Sequence, residues 1–204
     1  MIFKKKGIFA TERSFGIFMN KRETILYSAM ELITEHGFHG TSMSMIYKKA
    51  GVAVGTIYHH FESKNDLINQ LHTELKSRFG MALINKDQSG LPVKERFFLI
   101  WKNIYAFFIQ NPKEFMFLEQ YANSPFIAEE VKAENQKFYQ HALDYLHEGM
   151  KLGVLRSMNV NLMGNLIFSA VATTVKMELS GEIILNTEML NQIIQSSWDG
   201  VKIT

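Results

Sequence analysis

Residues 41–67, TSMSMIYKKAGVAVGTIYHHFESKNDL, constrain the fold more than any other part of the chain. Apolar residues at helical spacing open this stretch, at Met43, Ile46 and Ala50. Gly51 follows where the chain must reverse, and glycine adopts a left-handed backbone conformation without steric cost. A second helix is predicted to begin at about Val54. A helix, a short glycine turn and another helix are together typical of a helix-turn-helix.

The second helix of this stretch has two different faces. An apolar stripe is predicted to pack inward and consists of Val54, Ile57, Tyr58 and Phe61. The outward positions are Gly55, Thr56, His59 and His60. Gly55 costs the helix about 1 kcal/mol relative to Ala, and such a glycine often indicates a close backbone approach. The Thr56 hydroxyl and methyl suit a phosphate oxygen and a thymine methyl, and the polar tips of Tyr58 and His59 can reach phosphates. DNA binding is the favoured interpretation, and an ordinary solvated face is the alternative.

Basic residues at two predicted helix starts add positions for phosphate. Ser63 has Asp66 three residues later, which is the spacing of a capping box. Lys64 lies in the first turn of that helix, where backbone N–H groups also favour an anion. Lys21 and Arg22 lie at the start of the first helix, which is predicted to end at Gly37.

The run ILYSAMELITEHGFHGTSMSMIYKKAGVAVGTIYHHFESKNDL resembles the N-terminal domain of the TetR/AcrR family of transcriptional regulators. The resemblance implies an all-α fold in which the second helix contacts the DNA backbone through Ser42 and Ser44. It places on the recognition helix Gly55, Thr56, Tyr58, His59 and His60, and Lys64 on the phosphate-contacting start of the fourth helix. The sequence departs from the family pattern at two positions. Tyr47 stands where the family usually has a small residue, and Val54 stands where a polar residue is common.

The distribution of charge agrees with a phosphate-binding N-terminal half. Residues 1–65 carry nine Lys and Arg and five Asp and Glu, whereas the remaining residues carry 13 Lys and Arg and 15 Asp and Glu. The positive charge therefore lies on the half that contains the helix-turn-helix. The 204 residues include no cysteine, which excludes disulfides, thiolate metal sites and cysteine nucleophiles and fits a reducing cytoplasm.

About nine helices and no strand are predicted, in three segments. Residues 1–18 are an extension, 19–66 the helix-turn-helix domain and 67–204 a larger helical domain for effector binding and dimerisation. The extension is either a translation start placed too early, with Met19 the true start, or a basic arm for a minor groove. Residues 85–90 form a loop. The later helices are predicted over 64–79, 92–109, from 112, from 124–125 to 153, over 160–180 and over 186–198.

The last two predicted helices carry a candidate dimer face. Its members are Leu162, Leu166, Ala170, Thr173, Met177, Leu190, Ile193, Ile194 and Ser197. Two such helices from each subunit would form a four-helix bundle, and the resemblance implies that homodimer. A lone helix-turn-helix also reads few bases, while two related by a two-fold axis read an inverted repeat. The alternative is that these helices only complete one subunit's core.

The middle helices carry the candidate effector pocket, which the resemblance implies. Its members are Trp101, Tyr105, Phe108, Phe115, Met116, Tyr121, Phe138, His141 and Tyr145. Ordinary core packing is the alternative for each of them. Since neither an acidic nor a basic cluster stands out, the expected effector is small and largely apolar. No metal ion or cofactor is expected, and no segment is long and apolar enough to span a membrane.

These observations predict a DNA-binding transcriptional regulator, most often a repressor in the family it resembles, whose partners are double-stranded DNA, a second copy of itself and an unidentified effector. A helical ligand-binding or structural protein without specific DNA binding is the alternative. An enzyme is not expected, because no nucleophile elbow, phosphate loop or paired metal-ligand spacing occurs.

Overall fold

The computed structural model describes residues 20–84, 90–121 and 127–203. Within these ranges the chain is all-α, as predicted, and its β pairing is limited to an isolated bridge between Leu155 and Lys202. The helices in chain order are α1 (Lys21–Gly40), α2 (Met43–Ala50), α3 (Val54–His60), α4 (Lys64–Leu83), α5 (Val93–Gln110), α6 (Pro112–Tyr121), α7 (Glu129–Asn135), a 3-10 helix (Gln136–Tyr139), α8 (Gln140–Lys151), α9 (Val160–Leu179) and α10 (Thr187–Val201).

The helices form two compact units that divide after Ile68, within α4. The sequence predicts the boundary after residue 66. In the first unit, α1, α2 and α3 pack on one another around side chains that are at most 1% exposed, namely Ile25, Ile33, Ile46, Ile57 and Phe61. Asn20 begins α1 with a capping box to Glu23, which removes two unpaired backbone donors.

Two glycines shape the first unit. Gly37 has φ 72° and interrupts the helical conformation inside α1, where the sequence predicts the helix end. Gly51 has φ 65°, and its N–H and that of Val52 donate to carbonyls in the last turn of α2. This left-handed turn is the one that the sequence predicts between α2 and α3.

The packed face of α3 is narrower than predicted. Ile57 and Phe61 are buried, but Val54 is 47% and Tyr58 53% exposed, so the prediction that these two pack inward is wrong. The helix has only seven residues, and its neighbours α1 and α2 cover one edge of it. Tyr58 therefore joins the outward face.

The second unit is built around α5, which packs against α9 and α10. The predicted central position of residues 97–109 is confirmed by the burial of Phe97, Trp101, Ile104 and Phe108. Phe108 stacks on Phe79 at 5.2 Å between ring centroids, so the C-terminal part of α4 belongs to the same aromatic core.

The long helix predicted up to Gly153 is interrupted. α7 ends at Asn135, the 3-10 helix covers Gln136–Tyr139, and α8 begins at Gln140. At the interruption, a Cβ built on Gly80 would lie 2.2 Å from the Phe138 carbonyl oxygen, so the α4 backbone approaches the 3-10 helix closely. The predicted start at residues 124–125 and most of the predicted loop at 85–90 lie outside the described residues.

Caps explain the remaining helix ends. Asn159 and Asn186 each accept a backbone hydrogen bond at the starts of α9 and α10, as predicted for Asn186. Asn111 instead donates its side-chain amide to the Phe107 carbonyl at 2.7 Å, so it closes α5. Pro92 precedes the first helical residue, where the sequence places it inside the helix. Across the three described ranges, no helix has the length and apolarity required to cross a bilayer.

Candidate functional site

The outward face of α3 is a cluster of exposed or half-buried side chains. Gly55, Tyr58 and His59 are exposed, and Thr56 and His60 are half-buried. The His59 and His60 rings meet edge to face at 5.2 Å between centroids. A Cβ built on Gly55 would have no atom within 4 Å, so packing inside the first unit does not require glycine there.

The N-terminal end of α2 presents two exposed hydroxyls. Ser42 caps this helix, and its Oγ accepts a hydrogen bond from the Met45 N–H at 3.2 Å. The Ser42 and Ser44 hydroxyl oxygens are 2.7 Å apart and hydrogen-bond each other. Each hydroxyl retains lone pairs or a proton for a further partner, so the pair can meet a phosphate without losing the cap.

Basic groups flank this surface at the ends of α1 and α3. Lys21 is exposed, and the Arg22 guanidinium lies 5.8 Å from the centroid of the Phe61 ring, just beyond the end of α3. A cation over an aromatic face gains electrostatic attraction and is held in place. A contact with Phe61 thus positions Arg22 near the C-terminal end of α3.

Lys64 has an intramolecular role that the sequence does not predict. Its Nζ donates a hydrogen bond to the Phe38 carbonyl and lies 4.1 Å from the centroid of the Phe38 ring. Burial lowers the pKa of this ammonium below its ordinary value. The capping geometry beside it is present, since Ser63 Oγ accepts from the Asp66 N–H at 3.1 Å and the Asp66 carboxylate accepts from the Glu62 N–H.

The second unit contains a partly open cavity of about 720 Å³, which lies in the usual range for a drug-sized ligand. Its walls come from α4, α5, α6, α7, the 3-10 helix, α8 and α9. The apolar part of the lining includes Phe97, Ile100, Ile104, Leu143, Leu146 and Ile167. The polar part includes His72, Lys76, Glu119, Lys132, Asn135 and Tyr139. The cavity is therefore amphipathic.

The predicted pocket residues are mostly not in this lining. Trp101 and Tyr145 line the cavity. The other seven do not line this cavity: Tyr105, Phe108, Phe115, Met116, Tyr121, Phe138 and His141. Met116 and His141 are exposed.

The buried aromatic residues of that set pack on one another. Phe108 meets Phe115 at 5.1 Å, and Tyr121 stacks on Phe117 at 4.6 Å between centroids. Tyr105 stacks on Trp101 and donates its hydroxyl to Glu178. Core packing, the alternative interpretation, applies to these residues.

The contribution of α4 to the cavity is not predicted from the sequence. His72, Lys76, Phe79 and Leu83 line it and follow one another at spacings of four, three and four residues. This spacing places them on one face of α4. The presence of His72 and Lys76 among the apolar residues on this face of α4 is the signal that could have indicated the site.

His72 is a buried, neutral member of the lining. Its Nδ1 lies 3.0 Å from the Asn135 amide nitrogen, and both residues are nearly inaccessible to solvent. Burial, with the nearby Lys76 and Lys132 charges, lowers the pKa of His72 to about 4. Burial also lowers the pKa of Lys76, against which the Glu119 carboxylate acts in the opposite direction.

The candidate dimer face is partly exposed. Leu162 and Leu166, one turn apart on α9, are 52% and 53% exposed. Thr173 is exposed too, and the half-buried members are Ala170, Met177, Leu190, Ile193 and Ser197. Ile194 is fully buried within its own unit, so its assignment to an exposed face is corrected to the core.

Among the residues that the structure describes, no group of three or more His, Asp and Glu is placed to hold a metal ion.

Comparison with known families gives two matches, which follow one another along the chain. Residues 25–71 match the model described as bacterial regulatory proteins, tetR family. Residues 92–202 match the model described as a tetracyclin repressor-like C-terminal domain. The second match alone covers more than half of the chain.

Individual relatives agree with the family matches. An uncharacterized HTH-type transcriptional regulator of Haemophilus influenzae is 29% identical over 184 residues, which cover 88% of this chain and 95% of the relative. The fatty acid metabolism regulator protein of Bacillus subtilis is 29% identical over 155 residues, covering 74% and 79%.

Solved structures share the fold. That of a tetR family transcription regulator from Shewanella sp. PV-4 has a TM-score of 0.80 at 25% identity and covers 91% of this chain and 100% of that one. That of FadR from Bacillus subtilis in complex with stearoyl-CoA has a TM-score of 0.70 at 22% identity and covers 87% and 97%. With both domain models matched in order over the helix-turn-helix and the helical second unit, the chain belongs to the TetR family of DNA-binding transcriptional regulators.

Proposed function

We propose that the chain is a homodimeric repressor that binds an inverted-repeat operator and is released from it by a small effector. The observation that carries the proposal is the outward face of α3. Ile57 and Phe61 hold the helix to its own unit, while Gly55, Tyr58 and His59 remain exposed. A face of this kind suits the major groove, and the Thr56 methyl and hydroxyl suit a base edge.

The DNA-backbone contacts in this proposal come from the ends of the helices. Ser42 and Ser44 offer hydroxyls, Lys21 and Arg22 offer positive charge, and Lys64 retains two donors beyond the one directed at Phe38. Phosphate contacts of this kind fix register and orientation, and base contacts fix sequence. Sequence preference would then depend chiefly on Thr56 and the histidines of α3.

Dimerisation is assigned to α9 and α10. The exposed Leu162 and Leu166 form an apolar edge on α9, and Ala170 and Thr173 are small enough to let a partner helix approach closely. Two helices from each subunit would give a four-helix bundle with two-fold symmetry. That symmetry would place two α3 helices on half-sites about one helical turn apart.

The effector is assigned to the cavity of the second unit. Most of its lining is aliphatic or aromatic, which favours a ligand with a substantial apolar part. The Bacillus subtilis relative is named for fatty acid metabolism, and the FadR structure contains stearoyl-CoA. These names support an acyl chain as the apolar part of the effector.

Release from DNA is assigned to a change in the position of α4. This helix contributes Leu67 and Ile68 to the core of the first unit, and His72 and Lys76 to the cavity lining. An effector that prefers one position of α4 shifts the DNA-binding equilibrium by its difference in affinity for the two states. No catalytic step is assigned to any residue.

Selection of bound sequences from a random pool of duplexes tests the proposal. The expected result is a palindrome, with a dimer in sedimentation and a steep dependence of log affinity on log salt. Bound sequences without two-fold symmetry, or binding that is equal for all duplexes, would contradict it. Unchanged operator affinity across a panel of acyl compounds that bind the protein would contradict the effector part alone.

A further inference from the structure

The cavity lining contains one cation, Lys76, that forms no salt bridge among the described residues, although the Glu119 carboxylate of the same lining is close enough to act on its pKa. Lys76 Nζ lies 5.9 Å from the Phe79 ring centroid and 6.0 Å from that of Tyr139. Within residues 20–84, 90–121 and 127–203, no carboxylate forms a salt bridge with it. Glu119, the carboxylate of the lining, is instead paired with Lys176.

The second cation of the lining is already neutralised. Lys132 Nζ lies 2.6 Å from the Glu129 carboxylate, one turn away on α7. The side of the cavity formed by α4, α7 and the 3-10 helix therefore carries a net positive charge that is centred on Lys76. Removing an ammonium from water without a counter-charge is costly, and a ligand that supplies the counter-charge recovers that free energy.

Two further buried polar groups in the lining lack partners. Trp101 is 0% exposed, and its Nε1–H has no acceptor among the described residues. Asn135 is 2% exposed, and its Oδ1 has no donor in the same part of the chain. An indole N–H can only donate, so Trp101 requires an acceptor.

The amide of Asn135 can also serve as a donor. Oxygen and nitrogen of an amide exchange places when the group is rotated, and the tautomer of a neutral His adapts to its partner. With the amide rotated, Asn135 Oδ1 accepts from the His72 Nδ1–H, and Nδ2 takes the position that has no partner among the described residues. Lys76, Trp101 and Asn135 then form a set of donors with no acceptor of their own.

We infer that the cavity binds an unesterified, single-chain carboxylic acid, whose carboxylate pairs with Lys76 and whose aliphatic chain occupies the apolar lining. One unbalanced cation fits a monoanion, and a carboxylate is an acceptor only, which matches the donors Trp101 and Asn135. An alcohol or a thioester with the same chain lacks the charge at this position. This inference rests on the proposed effector site.

Calorimetric titration of the full-length protein tests the inference. The probes are unbranched C12–C16 carboxylates, the primary alcohols of equal length and the corresponding CoA thioesters. The wild-type protein is expected to bind the acid at least about tenfold more tightly than the alcohol or the thioester. Equal or tighter binding of the alcohol or the thioester, or no binding of the acid at any chain length, would overturn the inference.

Substitution of Lys76 separates its charge from the shape of the cavity. Lys76→Met is expected to lower acid affinity to that of the alcohol and to leave alcohol affinity unchanged. Lys137→Met is the matched control, because Lys137 is exposed on the 3-10 helix and does not line the cavity, and it should keep the preference for the acid. If Lys76→Met fails to fold, Lys76→Gln replaces it. A Lys76 variant that retains the full acid preference would overturn the assignment.

The proposed effector function and the carboxylate inference can be contradicted independently of each other. Acid-selective binding that leaves operator affinity unchanged supports the carboxylate site and contradicts its role as the effector site. Release of DNA by the thioester without binding of the free acid supports the effector cavity and contradicts the carboxylate inference.

Discussion

His72 and Asn135 form a buried hydrogen bond between α4 and α7, with 3.0 Å between the His72 Nδ1 and the Asn135 amide nitrogen. Neither side chain has solvent available to replace its partner. Because the pKa of His72 is lowered to about 4, the imidazole stays neutral in the native state at pH values where it is protonated in the unfolded chain. This relationship makes the stability of the second unit dependent on pH.

Acidification is expected to destabilise the wild-type protein through His72. Between pH 6.5 and about 4 the unfolded state binds one more proton than the native state, so this residue's contribution to stability is fully present above 6.5 and is lost as pH falls through that window. The loss approaches about 1.4 kcal/mol per pH unit. Urea unfolding at a series of pH values measures it. His72→Gln should flatten the profile in this window, and an equal slope in both proteins would contradict the prediction.

Gly55→Ala is expected to raise stability and weaken DNA binding at the same time. An added Cβ meets nothing within 4 Å, so the helix gains about 1 kcal/mol from the better propensity of Ala. The same methyl would obstruct the close approach of α3 to the groove. Thermal unfolding and operator titration measure the two effects.

Gly200→Ala is the matched control for Gly55→Ala. It lies in α10, and its added Cβ also meets nothing within 4 Å. It should raise stability by a similar amount and leave operator affinity unchanged. Full operator affinity in Gly55→Ala would refute the assignment of this face.

Lys64→Ala is expected to weaken binding to all duplexes alike and to reduce the salt slope by about one unit. It should also lower thermal stability, since the Nζ bond to the Phe38 carbonyl is lost. Lys151→Ala, an exposed lysine of the second unit, serves as the control and should change neither quantity. If Lys64→Ala lowers stability and keeps the wild-type salt slope, Lys64 only holds α4 to Phe38.

Local sequence rules account for most of the first unit. Gly51 predicts the turn because few residues other than glycine adopt its positive φ, and the apolar positions Ile46 and Ile57 predict the buried faces. Asn186 similarly predicts the start of α10 through its side-chain cap. These features depend on residues within one or two turns of each other, so they can be predicted from a single sequence without its tertiary structure.

The interruption after α7 and the position of the cavity depend on packing between distant segments. Residues 136–139, QKFY, contain neither glycine nor proline, so nothing local predicts a 3-10 helix. Gly80, more than fifty residues earlier, allows the Phe138 carbonyl to approach α4. The aromatic residues chosen for the pocket, such as Phe108, instead fill the core between Phe79 and Phe115. The composition of the sequence cannot distinguish aromatic residues that pack into a core from aromatic residues that line a cavity.

Gly80→Ala is expected to destabilise the second unit. Its Cβ would lie 2.2 Å from the Phe138 carbonyl oxygen and 3.0 Å from the Phe138 Cβ, so α4 and the 3-10 helix must separate. Overpacking of this kind costs about 1–3 kcal/mol. Gly164→Ala is the control, since its nearest contact, with Leu143, is an ordinary 3.6 Å. Urea unfolding should separate the two variants, and equal stabilities would show that α4 moves freely at this point.

Leu166→Glu is expected to convert the proposed dimer into monomers. Leu166 is 53% exposed on α9 next to Leu162, and a carboxylate there would be buried against its symmetry mate in a four-helix bundle. Since the side chain is exposed within one subunit, the variant should still fold, with unchanged helicity. Sedimentation measures the dissociation, and operator affinity should fall with it, because one subunit reaches only one half-site. Ile184→Glu is the control, at a position that is 86% exposed and outside α9 and α10. A Leu166→Glu protein that sediments as the wild-type protein does would exclude this edge of α9 from the interface.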